Sequence, residues 1–218
     1  MTEHFFHLPD TTIFHGIPQN VDGFSFKEAR ALTDDDEKIS RLKTRLEGYY
    51  VSGLKDINHP FIAAIMTCVG LEVLGQVIFG FDAKGESIES YTINVYKMLD
   101  SNISQPLSST FAINYNKKRN RTGQTTDFTN SFTSYANVIR KGLRNSFTHN
   151  YRSLGVILSD SQSDLMTIEE NEGCIIVNPF IFKQKFINCF EDSFLTALFN
   201  SNQNYRAETL KYFDLLIK

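Results

Sequence analysis

An almost unbroken apolar run from Phe61 to Phe81 is the feature that most constrains the fold of this chain. His59-Pro60 precedes the run and indicates a helix start, because proline suits the first helical turn. The run is just long enough to span a bilayer, which takes about 20 residues. Glu72 lies near its middle, however, where an acidic group costs about 3 kcal/mol to insert, and no basic cluster flanks either end. The sequence therefore predicts a buried central helix; the alternative is a membrane-associated protein that uses this run.

Glu72 is the one charged residue of this run. A carboxylate in such a helix has to be neutralised, hydrogen-bonded or paired with a cation. One interpretation pairs Glu72 with Arg144 or lets it orient His149. The other places its carboxylate at the edge of the helix, where it reaches water.

Helical spacing of apolar residues predicts several further helices. Asp34 to Glu37 supplies the acidic first turn of one of them, and Asn178-Pro179 supplies the cap and first residue of another. Apolar runs at 165–168 and 174–177 flank an acidic, glycine-ended stretch and predict a small β-hairpin, and 154–158 has the composition of a strand. The predicted helices span about 34–55, 87–100, from Asp127 or Asn130 towards Gly155, from 178 onwards, and from Asn204 or Tyr205 to Leu216.

The 218 residues are expected to form one mainly α-helical domain. Residues 1–30 show no clear period and are predicted to be an irregular N-terminal segment. Residues 101–126 are rich in Ser, Thr and Asn and contain Pro106 and Gly123, so we expect a polar loop or excursion there.

About one third of the basic residues lie in one sixth of the chain, although the net charge is −3. Eight of the 22 Lys and Arg residues lie between 117 and 152, against the single acid Asp127. We expect those outside the motif described below to bind RNA or phosphate, or, for 117–121, to form a solvated loop. They are Lys117, Lys118, Arg119, Arg121, Arg140, Lys141 and Arg152.

The three cysteines lie far apart and form no C-x-x-C pair, so neither a disulfide framework nor a thiolate zinc site is predicted. His4, His7 and His15 are a weak metal signal, and we expect no metal and no cofactor. The N-terminus shows no signal peptide pattern. We therefore expect a cytoplasmic protein.

Arg144, Asn145 and His149 form the candidate catalytic group, at the end of a helix otherwise suited to packing. Asn145 and His149 are four residues apart, which places them on one helix face. Arg140 and Arg152 add positive charge nearby. Imidazole moves protons near neutral pH, and guanidinium binds phosphate oxygens and stabilises developing negative charge. These groups suffice for attack of an RNA 2′-hydroxyl on its own phosphate; alternatively, the cations cap a helix C-terminus and the histidine is incidental.

The Arg144-Asn145 pair followed by His149 resembles the motif of the HEPN domain family, and the helix containing Gly70-Leu-Glu-Val-Leu-Gly75 resembles the other long helix of such domains. The resemblance covers residues 139–155 closely and about 35–200 loosely. It implies a HEPN-like bundle of four or more helices, with the hairpin inserted before the penultimate helix.

The resemblance also implies a function. HEPN proteins form homodimers that bring two motifs into one cleft, and many are metal-independent ribonucleases of toxin–antitoxin and phage-defence systems. RNA would be the substrate, and an antitoxin or a nucleotidyltransferase a possible partner. Arg144 would hold the phosphate and Asn145 would orient the reacting groups. His149 would be the acid or base, and Glu72 would support these residues. The alternative is a non-catalytic dimerisation or nucleotide- or RNA-binding module.

Overall fold

The structure is a computed structural model that describes residues 13–15, 23–80, 86–121, 133–145, 155–191, 195, 200 and 202–218. Within them the protein is mostly helical with a small three-stranded sheet, which confirms the predicted mainly α class. The helices are α1 (Phe26–Ala31), α2 (Asp35–Leu46), α3 (Ser52–Lys55), α4 (Pro60–Phe79), α5 (Glu86–Leu99), α6 (Ser101–Ser104), α7 (Ser109–Arg121), α8 (Tyr135–Ile139), α9 (Pro179–Glu191) and α10 (Gln203–Leu216). A π-helical turn, Glu47–Val51, joins α2 to α3, and a second, Arg140–Asn145, continues α8.

Helix α4 is the central helix, as the apolar run predicts. It packs against α5, α9, α10 and the second π-helical turn. Among the described residues it is also the one helix long and apolar enough to cross a membrane, and 56% of its most apolar window is buried inside the protein. A Cβ placed on Gly70 would overlap the ring of Phe186, so a glycine is required where α9 lies against α4.

Four more predicted helices are confirmed, and the one predicted at 87–100 is α5, which runs from Glu86 to Leu99. The stretch predicted at 34–55 is helical from Asp35 to Lys55, interrupted in its hydrogen-bonding pattern by the first π-helical turn. Asp34 caps it by accepting a 2.8 Å hydrogen bond from the Glu37 amide. Asn178 caps α9 in the same way, through amide bonds of 3.0 and 3.1 Å to its side-chain oxygen. Helix α10 begins at Gln203, one residue before the predicted start.

The prediction of a polar loop over 101–126 was wrong for residues 101–121, which contain the helices α6 and α7. Two buried aromatic rings one helical turn apart, Phe111 and Tyr115, hold α7 against the core and stack on each other. The Ser108 hydroxyl accepts a 3.1 Å hydrogen bond from the Phe111 amide at its start. Two apolar contacts and a cap thus suffice for a helix that is polar elsewhere; 122–126 lie outside the described residues.

The irregular segment expected over 1–30 also contains regular structure. Strands β1 (Ile13–His15) and β2 (Phe24–Ser25) pair antiparallel, and α1 follows directly. Ser25 and Glu28 form a capping box that begins α1, a local signal that the absence of a long apolar period obscures. Residues 1–12 and 16–22 lie outside the described part.

The predicted hairpin is confirmed, with β4 (Met166–Glu169) antiparallel to β5 (Cys174–Val177). Strand β3 (Val156–Leu158) adds to the other side of β5 in parallel, which gives the order β3-β5-β4. Gly173 ends the hairpin turn with φ +54°, and a Cβ there would overlap the backbone of α7. The sheet is therefore held directly against α7.

Asp100 links α6 to α9, and its charge gives the fold an acid-sensitive contact. Its carboxylate caps α6 through a 2.8 Å bond from the Asn102 amide and lies 2.7 Å from the Lys185 ammonium. Burial alone would raise the pKa of Asp100, but the hydrogen bonds from Lys185 and Asn102 lower it overall. A lowered pKa means that the contact stabilises the fold at neutral pH and is lost as the pH falls through that pKa.

We predict that Asp100→Asn lowers the free energy of unfolding at pH 7 by about 1 kcal/mol, since asparagine keeps the cap but loses the charge. Urea unfolding followed by circular dichroism would measure this. The difference from wild type should begin to shrink near pH 4, where an aspartate of the unfolded chain becomes protonated, and should vanish only below the lowered pKa of Asp100 in the folded protein. Asp34→Asn, at the exposed cap of α2, is the matched control; a pH-independent difference for Asp100→Asn would contradict the prediction.

Candidate active site

The segment that contains the candidate motif begins with helix α8, whose N-terminus is capped by side-chain hydrogen bonds. Ser134 precedes α8, and its amide and hydroxyl donate to the Asn137 side-chain oxygen at 3.1 and 2.9 Å. Helix α8 therefore begins at Tyr135, because residues 133 and 134 are not helical. The predicted starts at Asp127 and Asn130 lie outside the described residues. Every residue of α8 is buried.

The first two motif residues lie in a π-helical turn where the sequence predicts a continuous α-helix. The turn runs from Arg140 to Asn145 and so includes both Arg144 and Asn145. His149 lies outside the described residues, so its placement on one helix face with Asn145 stays a prediction. Turns of the π-helical type are rare in proteins. Those that do occur are frequently found at functional sites.

The predicted catalytic residues are described only in part. Arg144 and Asn145 end the π-helical turn, and their side chains lie outside the described part of the chain. His149 and Arg152 lie outside it altogether. Of the predicted phosphate-binding residues nearby, Arg140 is buried and Lys141 is half-buried in the same turn.

Glu72 and Arg140 are the two predicted site residues that the structure brings together. A Glu72 carboxylate oxygen lies 3.4 Å from an Arg140 guanidinium nitrogen. The side chains are only 16% and 9% exposed, so this ion pair joins the centre of α4 to the first residue of the π-helical turn. One of the two sequence interpretations paired Glu72 with Arg144 or His149, whose side chains lie outside the described part of the chain. Arg140, four residues before Arg144, supplies the cation that such a carboxylate requires.

Cys68 and Tyr96 complete the surroundings of this ion pair. Cys68 lies one turn before Glu72 on α4, and Tyr96 comes from α5; both are fully buried. Burial raises the pKa of the Tyr96 hydroxyl well above its ordinary value, and the Cys68 thiol and Glu72 carboxylate raise it further, while Arg140 lowers it. The hydroxyl is therefore protonated at all physiological pH values and adds a neutral dipole, not a charge, to the cluster.

The predicted basic group at 117–121 lies at the C-terminal end of α7. Lys117 and Lys118 are exposed, and Lys118 forms a 2.9 Å ion pair with Glu172 of the hairpin turn. Arg119 and Arg121 lie in the same helix. A Cβ on Gly155, which has φ +69°, would overlap the ring of Tyr115, so α7 also contacts the residue that ends the motif segment.

No group of three His, Cys, Asp or Glu side chains is arranged to hold a metal ion within the ranges that the structure describes. Arg140 is buried and paired with the Glu72 carboxylate, so its charge serves the packing of the turn against α4. In the predicted site, anion binding would fall to Arg144 and proton transfer to His149.

Comparison of the chain with protein-family models, with curated proteins and with solved structures found no match. The family resemblance of the motif therefore stays a prediction.

The sequence analysis did not identify Cys68 and Tyr96 as neighbours of Glu72, nor Arg140 as its partner. The signal for Cys68 was available, since it is four residues before Glu72 and shares its face of α4. The pairing of Glu72 with Arg140 could not be predicted, because it depends on how the π-helical turn packs against α4, and no pattern in the local sequence indicates such a turn.

We predict that Arg140→Met lowers the free energy of unfolding by about 3 kcal/mol, because the largely buried Glu72 carboxylate loses its paired guanidinium. The double variant Glu72→Leu with Arg140→Met should lose less than the sum of the single variants, by roughly 1–3 kcal/mol. Urea unfolding followed by circular dichroism suits a chain with no tryptophan.

Lys43→Met is the control for that cycle. Lys43 forms a 3.7 Å ion pair with Glu47 in which both side chains are about one-third exposed, so its loss should cost under about 0.5 kcal/mol. An Arg140→Met variant as stable as this control would contradict a structural role for the buried pair.

Proposed function

We propose that this protein is a metal-independent endoribonuclease of HEPN type, which cleaves RNA at a composite site formed between two subunits and acts in a toxin–antitoxin or phage-defence system. The observation that carries the proposal is the buried Glu72–Arg140 contact, which fixes the start of the turn containing Arg144 and Asn145. A π-helical turn held against the central helix suits a site in which Arg144 has to position a phosphate.

The reaction is an internal transfer at phosphorus. The RNA 2′-oxygen forms a bond to the adjacent phosphorus as the bond to the 5′-oxygen breaks, which leaves a 2′,3′-cyclic phosphate and a 5′-hydroxyl. One proton leaves the 2′-hydroxyl and one reaches the departing 5′-oxygen. In this mechanism His149 carries one of these protons, Arg144 stabilises the charge on the phosphate, and Asn145 orients the reacting groups.

The basic residues outside the motif would hold the RNA strand. Lys141 in the turn and the group from Lys117 to Arg121 on α7 supply charge for backbone phosphates, which binds RNA without reading its sequence. Single-stranded or loop RNA is the substrate class, because its unstacked backbone reaches the geometry for internal attack most readily.

We predict that the purified protein cleaves a mixed RNA pool in excess EDTA and leaves 2′,3′-cyclic phosphate ends. His149→Ala should slow cleavage by about 10² to 10⁴, and Arg144→Ala by about 10² to 10³, as expected for loss of a proton-transfer group and of an oxyanion donor. Arg41→Ala is the control, since Arg41 lies on α2 and pairs with Glu37 at 3.3 Å.

The same experiment distinguishes the endoribonuclease from the alternative, a non-catalytic module. If the wild type binds RNA but leaves it intact, with binding lost in Arg144→Ala, the protein is a non-catalytic RNA-binding module. Equal cleavage by the wild type and both variants would place any activity elsewhere and overturn the assignment of Arg144 and His149.

A further inference from the structure

A surface cavity of about 330 Å³ lies where α2 meets α10, away from the turn described above. Its volume falls within the range of small-molecule sites, roughly 300–1,000 Å³. Its walls combine cations, uncharged polar groups and apolar side chains. They are Asp36, Ile39, Ser40, Lys43, Leu195, Asn200 and Arg206.

Two cations and one acid line this cavity. Arg206 is 25% exposed and pairs with Asp36 at 2.7 Å, while the Asp36 side chain is 84% exposed. The Lys43 ammonium lies 3.7 Å from the carboxylate of Glu47, an acidic residue that does not line the cavity. The lining itself is therefore net positive.

The Asp36–Arg206 pair is easily replaced by a ligand. An ion pair with so exposed a carboxylate contributes only about 0–1 kcal/mol in water, whereas arginine binds phosphate through two parallel hydrogen bonds. A phosphate entering the cavity can take the place of Asp36 on the guanidinium, and Asp36 turns out to solvent at little cost.

The remaining lining fits the rest of a ligand. Ile39 is partly buried and Leu195 is 2% exposed, which gives an apolar surface. Ser40 and Asn200 provide a hydroxyl and an amide beside it. We propose that this cavity binds a small phosphorylated molecule with an apolar part, such as a mononucleotide, with its phosphate on Arg206 and Lys43.

The test is titration of the ¹⁵N-labelled full chain with ADP, followed through the backbone amides of Ser40, Lys43 and Arg206. We expect saturable shifts with a Kd near or below about 1 mM, the weak end of specific binding. Arg206→Gln should weaken binding about tenfold or more, since it removes a charge-assisted pair of hydrogen bonds. Asp36→Asn should tighten binding severalfold, because it removes the competing carboxylate.

Matched controls separate the cavity from general charge and from folding. Arg41→Gln removes a cation from the same helix outside the cavity, and its Kd should equal that of the wild type. Arg206→Lys keeps the charge and should retain part of the affinity, and the dispersion of the amide spectrum reports whether each variant is folded.

Several results would overturn the proposal. They are no saturable shift with ADP, equal weakening by Arg41→Gln and Arg206→Gln, and adenosine binding as tightly as ADP. Pyrophosphate binding that Arg206→Gln weakens would support the phosphate contact. RNA cleavage is expected to be unchanged in Arg206→Gln; RNA affinity that falls in step with ADP affinity would make the cavity part of an RNA surface instead of a small-molecule site.

Discussion

The buried contact between Glu72 and Arg140 is the interaction on which the arrangement of this molecule depends. Glu72 lies in a helix that is otherwise apolar, so the chain has to bring a cation into the core or leave a charge uncompensated. Arg140 meets this need from a segment that is distant in sequence. The requirement therefore fixes where α8 and its π-helical turn lie against α4.

The motif segment is anchored at both of its ends by different helices. At its start, Arg140 contacts α4; at its end, Gly155 lies against Tyr115 of α7 and leads directly into β3. Helix α7 in turn lies against Gly173 of the hairpin turn, which its backbone approaches closely. The sheet thus supports the site indirectly, by holding the helix that closes the segment.

The sequence predicted the parts of the fold that follow from local pattern. Helix α4 and the hairpin were predictable because an apolar run indicates the first and a glycine-ended turn between two apolar runs indicates the second. Helix α7 was not, because only Phe111 and Tyr115 hold a stretch whose composition otherwise indicates a loop. The π-helical turn, and with it the choice of Arg140, depends on contacts with α4 that no local pattern encodes.

The same distinction applies to the two sites. Arg144, Asn145 and His149 could be selected from spacing and chemistry, since their residue types are close together in the chain. The cavity residues could not, because Lys43 and Arg206 meet only when α2 packs against α10. Sequence reasoning can propose a site whose residues lie close together in the chain, but not one whose residues come together only through packing.

The most direct test of the central claim is the RNA cleavage rate of Glu72→Gln, measured where circular dichroism shows wild type and variant equally folded. Glutamine keeps the size of Glu72 but removes its charge, so the turn that contains Arg144 loses its anchor. We predict that cleavage slows by about tenfold to a hundredfold, the cost of a small displacement of reacting groups. A variant that cleaves RNA at the wild-type rate would contradict the claim that this contact positions the site.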